Sequence, residues 1–449
     1  MAAPDYSIPI PTDGRAALAR AWLMLGLFAL LGAGLFAFLL VLARSPFMQG
    51  LFPWSDFFRT VLVVHVDLSV LVWFIAFGGM LWTLNSTKRA LSLGWMAMAI
   101  AAAGTGLMVL APFTGESNPL MSNYVPVLNQ NFFLVGLGVF GVGAALLTVR
   151  GLLAKPLFPS PEKGETPLRF GLYGAVVATA LALFGFAWSS MTVPESLSGH
   201  PYFEMLFWGG GHVLQYTFTT LMLVAWLWLA SAAGLRLLLS PRWVSVLLGV
   251  GLITMLFAPF IYYRHGVGSA EYVTQFTWLM QMGGGLAPLP LGVAVLWAAL
   301  CAPRASVAQR PWRAALLASV LLFGIGGVIG FLIRGVNVTI PAHYHGSIVG
   351  VTLALMGLTY HLLPRLGYSQ PNSKWATIQP WLYAGGQLLH IVGLAWLGSY
   401  GVQRKIADAT QGMTGVESAA RGLMGLGGLL AIIGGLVFLA VVYRAMRRR

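Results

Sequence analysis

Charge and sulfur are what this chain has least of. Of its 449 residues only 8% are Asp, Glu, Lys or Arg, while 58% are hydrophobic. A soluble domain carries about a quarter charged residues, so this balance excludes a soluble chain and implies a polytopic membrane protein. One cysteine, Cys301, excludes a disulfide framework and any CxxC metal or redox motif; it reads as a small buried apolar residue. No cleavable signal peptide is evident, because the first apolar run, Ala17–Leu42, is too long and leads straight into further spans. Connections between apolar runs are only loop-sized, so no soluble domain of any size is expected.

Twelve runs of spanning length are present: Ala17–Leu42, Phe57–Leu84, Leu91–Pro112, Asn131–Leu153, Phe170–Met191, Tyr202–Ala232, Val244–Tyr263, Val273–Cys301, Ala314–Ile333, His343–Leu363, Trp381–Ser399 and Gly422–Val442. They predict an all-α polytopic protein, one membrane domain over residues 1–449. The net charge of +14 would suit nucleic acid, but its distribution argues against that. With the N-terminus inside, only Arg44, Arg59, Arg264, Arg334, Arg404, Lys405 and Arg421 fall in outer segments. The other nineteen of the 26 basic residues are inner, a positive-inside bias that places both termini in the cytoplasm.

Chemistry is carried by histidine. His343 and His345 head the tenth run, and residues two apart on a helix point roughly 200° from each other. They cannot serve one metal from the same side, but they can serve two centres on opposite flanks. His65 lies near the outer end of the second run, with Asp67 two residues on. His212 follows three glycines in the sixth run, and Tyr216 shares its face four residues later. His265 ends the seventh run after Tyr262, Tyr263 and Arg264. Singly, such a residue is an ordinary packing or interfacial histidine. Five at one depth from four helices point to a buried metal or heme assembly, because imidazole is costly in hydrocarbon and is a usual ligand of iron and copper. His361 reads as interfacial and His390 has no evident partner. A transporter with a midplane site would show broken helices in an inverted repeat, and no such repeat is present.

In this order of histidines the chain resembles the catalytic subunit of the heme-copper oxidase superfamily over essentially its whole length. Leu206-Phe207-Trp208 followed by Gly211-His212 looks like the family's helix-six signature, and His343-Tyr344-His345 like its helix-ten motif. The resemblance implies that His65 and His345 are axial ligands of a low-spin heme and His343 the proximal ligand of a high-spin heme. It implies that His212 and His265 hold a second metal, copper or alternatively non-heme iron, with Tyr216 as the catalytic tyrosine. Arg404 and Lys405 match the outer loop that holds heme propionates. Two departures stand out: Arg264 occupies the place of a first helix-seven histidine, so a third metal ligand could come from elsewhere, with Glu271, Tyr263 or His200 as candidates. No Lys in helices eight or nine and no acidic ladder marks a proton path.

The expected activity is that of a respiratory terminal oxidase reducing O2 to water. Nitric oxide reduction is the alternative: Tyr216 favours the oxidase, and Arg264 with the missing ladders favours the reductase. Without a cysteine pair for binuclear copper or a CxxCH heme attachment, electrons must come from a partner subunit bearing a copper or heme domain on the outer face, fed by cytochrome c or quinol. The location implied is a bacterial inner membrane.

Overall fold

The computed structural model describes residues 4–42, 57–115, 117–335, 337–402 and 415–448. Among them are twelve long helices: α1 (Gly14–Leu42), α2 (Phe57–Leu84), α3 (Leu91–Leu110), α4 (Asn131–Leu153), α5 (Glu165–Thr192), α6 (Gly199–Ala232), α7 (Pro241–Arg264), α8 (Ala270–Cys301), α9 (Arg310–Phe331), α10 (Thr339–Leu362), α11 (Ser373–Ser399) and α12 (Gly415–Arg447). Ten are long and apolar enough to cross a membrane by composition, and α10 and α11 match them in length at 24 and 27 residues. The only strands described, β1 (Pro119–Leu120) and β2 (Val127–Leu128), form a short antiparallel hairpin in the α3–α4 connection. The protein is an all-helical polytopic membrane protein, as its composition implies.

Several helices begin before their apolar runs. α5 starts at Glu165, where the Arg169 guanidinium lies 3.0 Å from the Glu165 carboxylate one turn away. Such polar first turns continue the helix beyond the apolar stretch. Capping sets other boundaries: Ser240, Ser269 and Asn372 accept from the backbone N–H of Trp243, Tyr272 and Trp375 at the starts of α7, α8 and α11. α7 tightens to a 3-10 turn at Thr254–Phe257 ahead of Pro259, whose missing N–H breaks the α ladder. α8 is interrupted between Gly283 and Pro288 for the same kind of reason.

The helices fall into two compact units. One comprises Ser7–Val224 and Ser240–Pro288, and so holds α1 to α5, most of α6, α7 and the first part of α8. The other comprises Met1–Tyr6, Ala225–Leu239 and Leu289–Arg449. In this second unit α9 and α10 touch backbone to backbone. A Cβ on Gly326 would lie 2.5 Å from Ser347 N, and one on Gly346 would lie 2.5 Å from Gly326 Cα. Small residues four apart, Gly326 and Gly330 on α9 and Gly346 and Gly350 on α10, create that approach. A buried relay reinforces it: Trp226 Nε1–H donates to Ser319 Oγ at 2.7 Å, and Ser319 donates to Gly350 O at 2.6 Å.

Cys301 is exposed, contrary to its reading as a buried residue. It ends α8, whose second half presents Leu289, Val293, Trp297 and Leu300, all 55% exposed or more, at helical spacing. An apolar stripe of this kind is what a lipid-facing helix carries, so apolar character there does not imply a protein interior.

Candidate functional site

The two histidines of α10 leave it on different flanks. His343 turns to α9, where its Nδ1 lies 2.7 Å from Gly326 O, and its ring rests against Gly330, where a Cβ would come within 2.8 Å of Nδ1 and Cε1. His345 turns to α11, its ring 4.9 Å from that of His390 in an edge-to-face arrangement. His390 thus has partners that its sequence position does not reveal, since its Nδ1 also lies 2.9 Å from Met424 O on α12.

His65 on α2 holds Nδ1 2.8 Å from Ala33 O of α1. Directly after it the helix widens into a π turn, Asp67–Val72. Ser69 Oγ donates to His65 O at 2.7 Å, satisfying a carbonyl where the hydrogen-bond register shifts. Asp67, 1% exposed, has neither carboxyl oxygen hydrogen-bonded.

His212 on α6 is 4% exposed and enclosed by aromatic rings: Tyr124 at 4.7 Å, Trp208 at 4.9 Å and Phe276 at 5.8 Å between centroids. Its Nδ1 lies 2.7 Å from Trp208 O and its Nε2 2.8 Å from the Tyr124 hydroxyl. Tyr124 comes from the turn of the β1–β2 hairpin, a contact that no periodicity in the sequence signals. Burial first, then the Glu204 carboxylate and Tyr272, push its phenol well above the ordinary value, so it is the donor to His212. Tyr216, one turn beyond, points elsewhere: its hydroxyl donates to Leu279 O at 2.9 Å and accepts from Thr254 at 3.1 Å. His265 caps the C-terminus of α7 and is partly exposed. Arg264, Glu271 and His200 are exposed, and Tyr263 is 80% exposed. Among the described residues, no three His, Cys, Asp or Glu side chains gather into a metal-holding set.

Three of these imidazoles share one device. A carbonyl oxygen can only accept, so Nδ1 of His65, His212 and His343 must carry the hydrogen, leaving the lone pair on Nε2. Outer-shell carbonyls of this kind fix the tautomer and ring orientation of metal-ligating histidine. The donor chemistry therefore fits heme iron or a second metal. Arg404 and Lys405 lie outside the described residues. His361, in the last turn of α10, is 3% exposed and flanked edge-on by Trp312 and Trp228 at 5.0 and 6.2 Å.

Among the described residues, the twelve helices of this membrane protein carry the buried imidazole of His212 and the half-buried ones of His65 and His343, each with its Nδ1–H on a main-chain carbonyl. The chain belongs to the cytochrome c and quinol oxidase polypeptide I family, whose model matches residues 17–436. It is 28% identical to an uncharacterized protein of Rickettsia prowazekii, with 96% of each chain covered. It is 29% identical to an uncharacterized protein of Aquifex aeolicus, covering 80% of this chain and 88% of that one. The chain is therefore an integral membrane oxidoreductase of the heme-copper type.

Proposed function

We propose that this protein is the catalytic subunit of a respiratory terminal oxidase that reduces O2 to water in a bacterial cytoplasmic membrane. In this reading the chain works as one membrane domain with both termini in the cytoplasm. His65 and His345 would hold a low-spin heme, His343 would hold a high-spin heme, and His212 and His265 would hold a second metal. Arg404 and Lys405 bind heme propionates. When bound, these groups supply the electrons and the oxygen-binding position. The observation that carries the reading is the shared hydrogen-bond arrangement of His65, His212 and His343, each with Nδ1–H on a main-chain carbonyl and Nε2 left as the ligating atom.

The chain's own residues do the positioning. Ala33 O and Gly326 O aim the His65 and His343 rings, while Trp208 and Phe276 shield His212 from water. Tyr216, 5% exposed, holds its hydroxyl proton on Leu279 O and is the proton and electron donor of this reading. A partner subunit with a copper or heme domain on the outer face delivers electrons from cytochrome c or quinol.

Nitric oxide reduction to N2O is the second reading. It is favoured by Arg264, which stands exposed where the family carries a further histidine, and the second metal would then be non-heme iron. Turnover of purified protein with O2 and with NO, alongside copper and iron analysis, separates the two. Oxygen reduction with copper present is expected; NO turnover without oxygen reduction would establish the second reading. An optical spectrum with no bis-histidine heme signal would sink both.

A further inference from the structure

The second metal is short of ligands. α7 offers one imidazole, His265, and Glu271, Tyr263 and His200 all sit at exposed positions. We propose that the missing ligand is the phenolate oxygen of Tyr124, carried onto the site by the β1–β2 hairpin. The proposal rests on the reading that His212 binds this metal, and it holds for either substrate.

Three observations carry it. The first is the distance: Tyr124 Oη stands 2.8 Å from His212 Nε2, the nitrogen left with the lone pair. For bonds of about 2.0–2.2 Å to nitrogen or oxygen, two donors at a right angle around one ion stand about 2.8–3.1 Å apart. One ion can replace the shared proton without moving either ring far.

The second is that the placement is built. His200, Glu204, Trp208 and His212 recur every fourth residue and so line one face of α6. The hairpin is tied along that face. His200 Nε2 donates to Met121 O at 3.1 Å, and Asn123 N donates to Glu204 Oε2 at 2.9 Å, with the Asn123 side-chain amide on the other carboxylate oxygen. Tyr124 then packs edge-on to Trp208 at 5.9 Å between ring centroids. Gly211 completes the seat: a Cβ there would collide with Cβ and Cγ of Tyr124.

The third is chemical. The pair is one imidazole nitrogen and one hard phenolate oxygen, a set that suits cupric copper as well as ferric iron, which tyrosinate also ligates in some heme enzymes. Binding exchanges the O–H···N hydrogen bond for two bonds to one ion and releases one proton to water; no electron moves.

The test uses oxidised, purified protein carrying its hemes. Wild type should hold one second metal, copper or non-heme iron, per two hemes and show resonance Raman phenolate modes excited in a tyrosinate-to-metal charge-transfer band. Y124F should lose those modes and release the metal to a chelator at least ~10-fold more readily, the lower range for disturbing even an outer-shell partner. Both heme spectra should be retained. G211A, which keeps the phenol but displaces it, should lose the same modes. Metal bound in wild type without phenolate modes, or modes surviving in Y124F, overturns the assignment and leaves the function reading standing. No non-heme metal in wild type overturns the function reading itself, and the ligand assignment with it.

Discussion

His65, His212 and His343 are each held by one main-chain carbonyl, so single substitutions report on single groups. Replacing His65 or His345 with Ala should abolish the low-spin heme spectrum while high-spin heme remains; a normal low-spin signal in both variants would refute their pairing. His343→Ala should remove the high-spin heme and its carbon monoxide adduct. Gly330→Ala gives a subtler probe. The new Cβ would come within 2.8 Å of the His343 ring, so the ring must turn off Gly326 O or α9 must shift. The expected result is a weakened carbon monoxide adduct with the low-spin spectrum intact. Tyr216→Phe should impair oxygen reduction more than nitric oxide reduction, measured as the ratio of the two turnover rates. At this scale the sequence is informative about residue type and depth: His343 and His345 can be assigned to opposite flanks from helical geometry alone. It is silent on Tyr124 and on His390, because a hairpin turn and a ring from another helix reach their partners through chain folding and leave no periodic trace.

Among helices, close backbone approach and buried polar relays hold the arrangement. α9 and α10 position His343 because Gly326 and Gly346 bring the two backbones into contact. Gly346→Ala should cost about 1–3 kcal/mol of stability, the usual range for overpacking a tight contact, read as a lowered midpoint of unfolding in detergent with loss of high-spin heme before low-spin heme. Trp226→Phe removes the donor to Ser319 in the relay to Gly350. About 0.5–1.5 kcal/mol is expected in the same measurement, the net worth of one hydrogen bond, because Ser319 keeps its own donation to Gly350 O. The π turn after His65 has a comparable logic, since Ser69 satisfies the carbonyl of the histidine it follows. The glycines involved are visible in the sequence. Which helices they join is not, because a small-xxx-small pattern names a sticky face without naming its partner.

Over the whole molecule, composition and family agree. Scarce charge, twelve apolar runs and a model match across residues 17–436 make this a heme-copper type membrane oxidoreductase. The predicted sidedness is checked by reporter fusions: tags at residue 1 and residue 449 should both report the cytoplasm, and one placed in the connection around residue 118 should report the outer side. Outer signals from both termini would reverse the topology, and an outer signal from one alone would contradict twelve crossings.

What the sequence by itself determined is the kind of protein. It follows from transfer energetics, because hydrocarbon tolerates long apolar helices whose backbone polar groups are satisfied internally. Only the tertiary structure decided which atoms face each other. It showed that His65, His212 and His343 each spend Nδ1–H on a carbonyl, and that Tyr124 reaches His212 while Tyr216, four residues away, bonds to Leu279. The reason is directional. Burial depends on composition summed over a helix, but a hydrogen bond depends on where a second, distant segment has been folded to meet it.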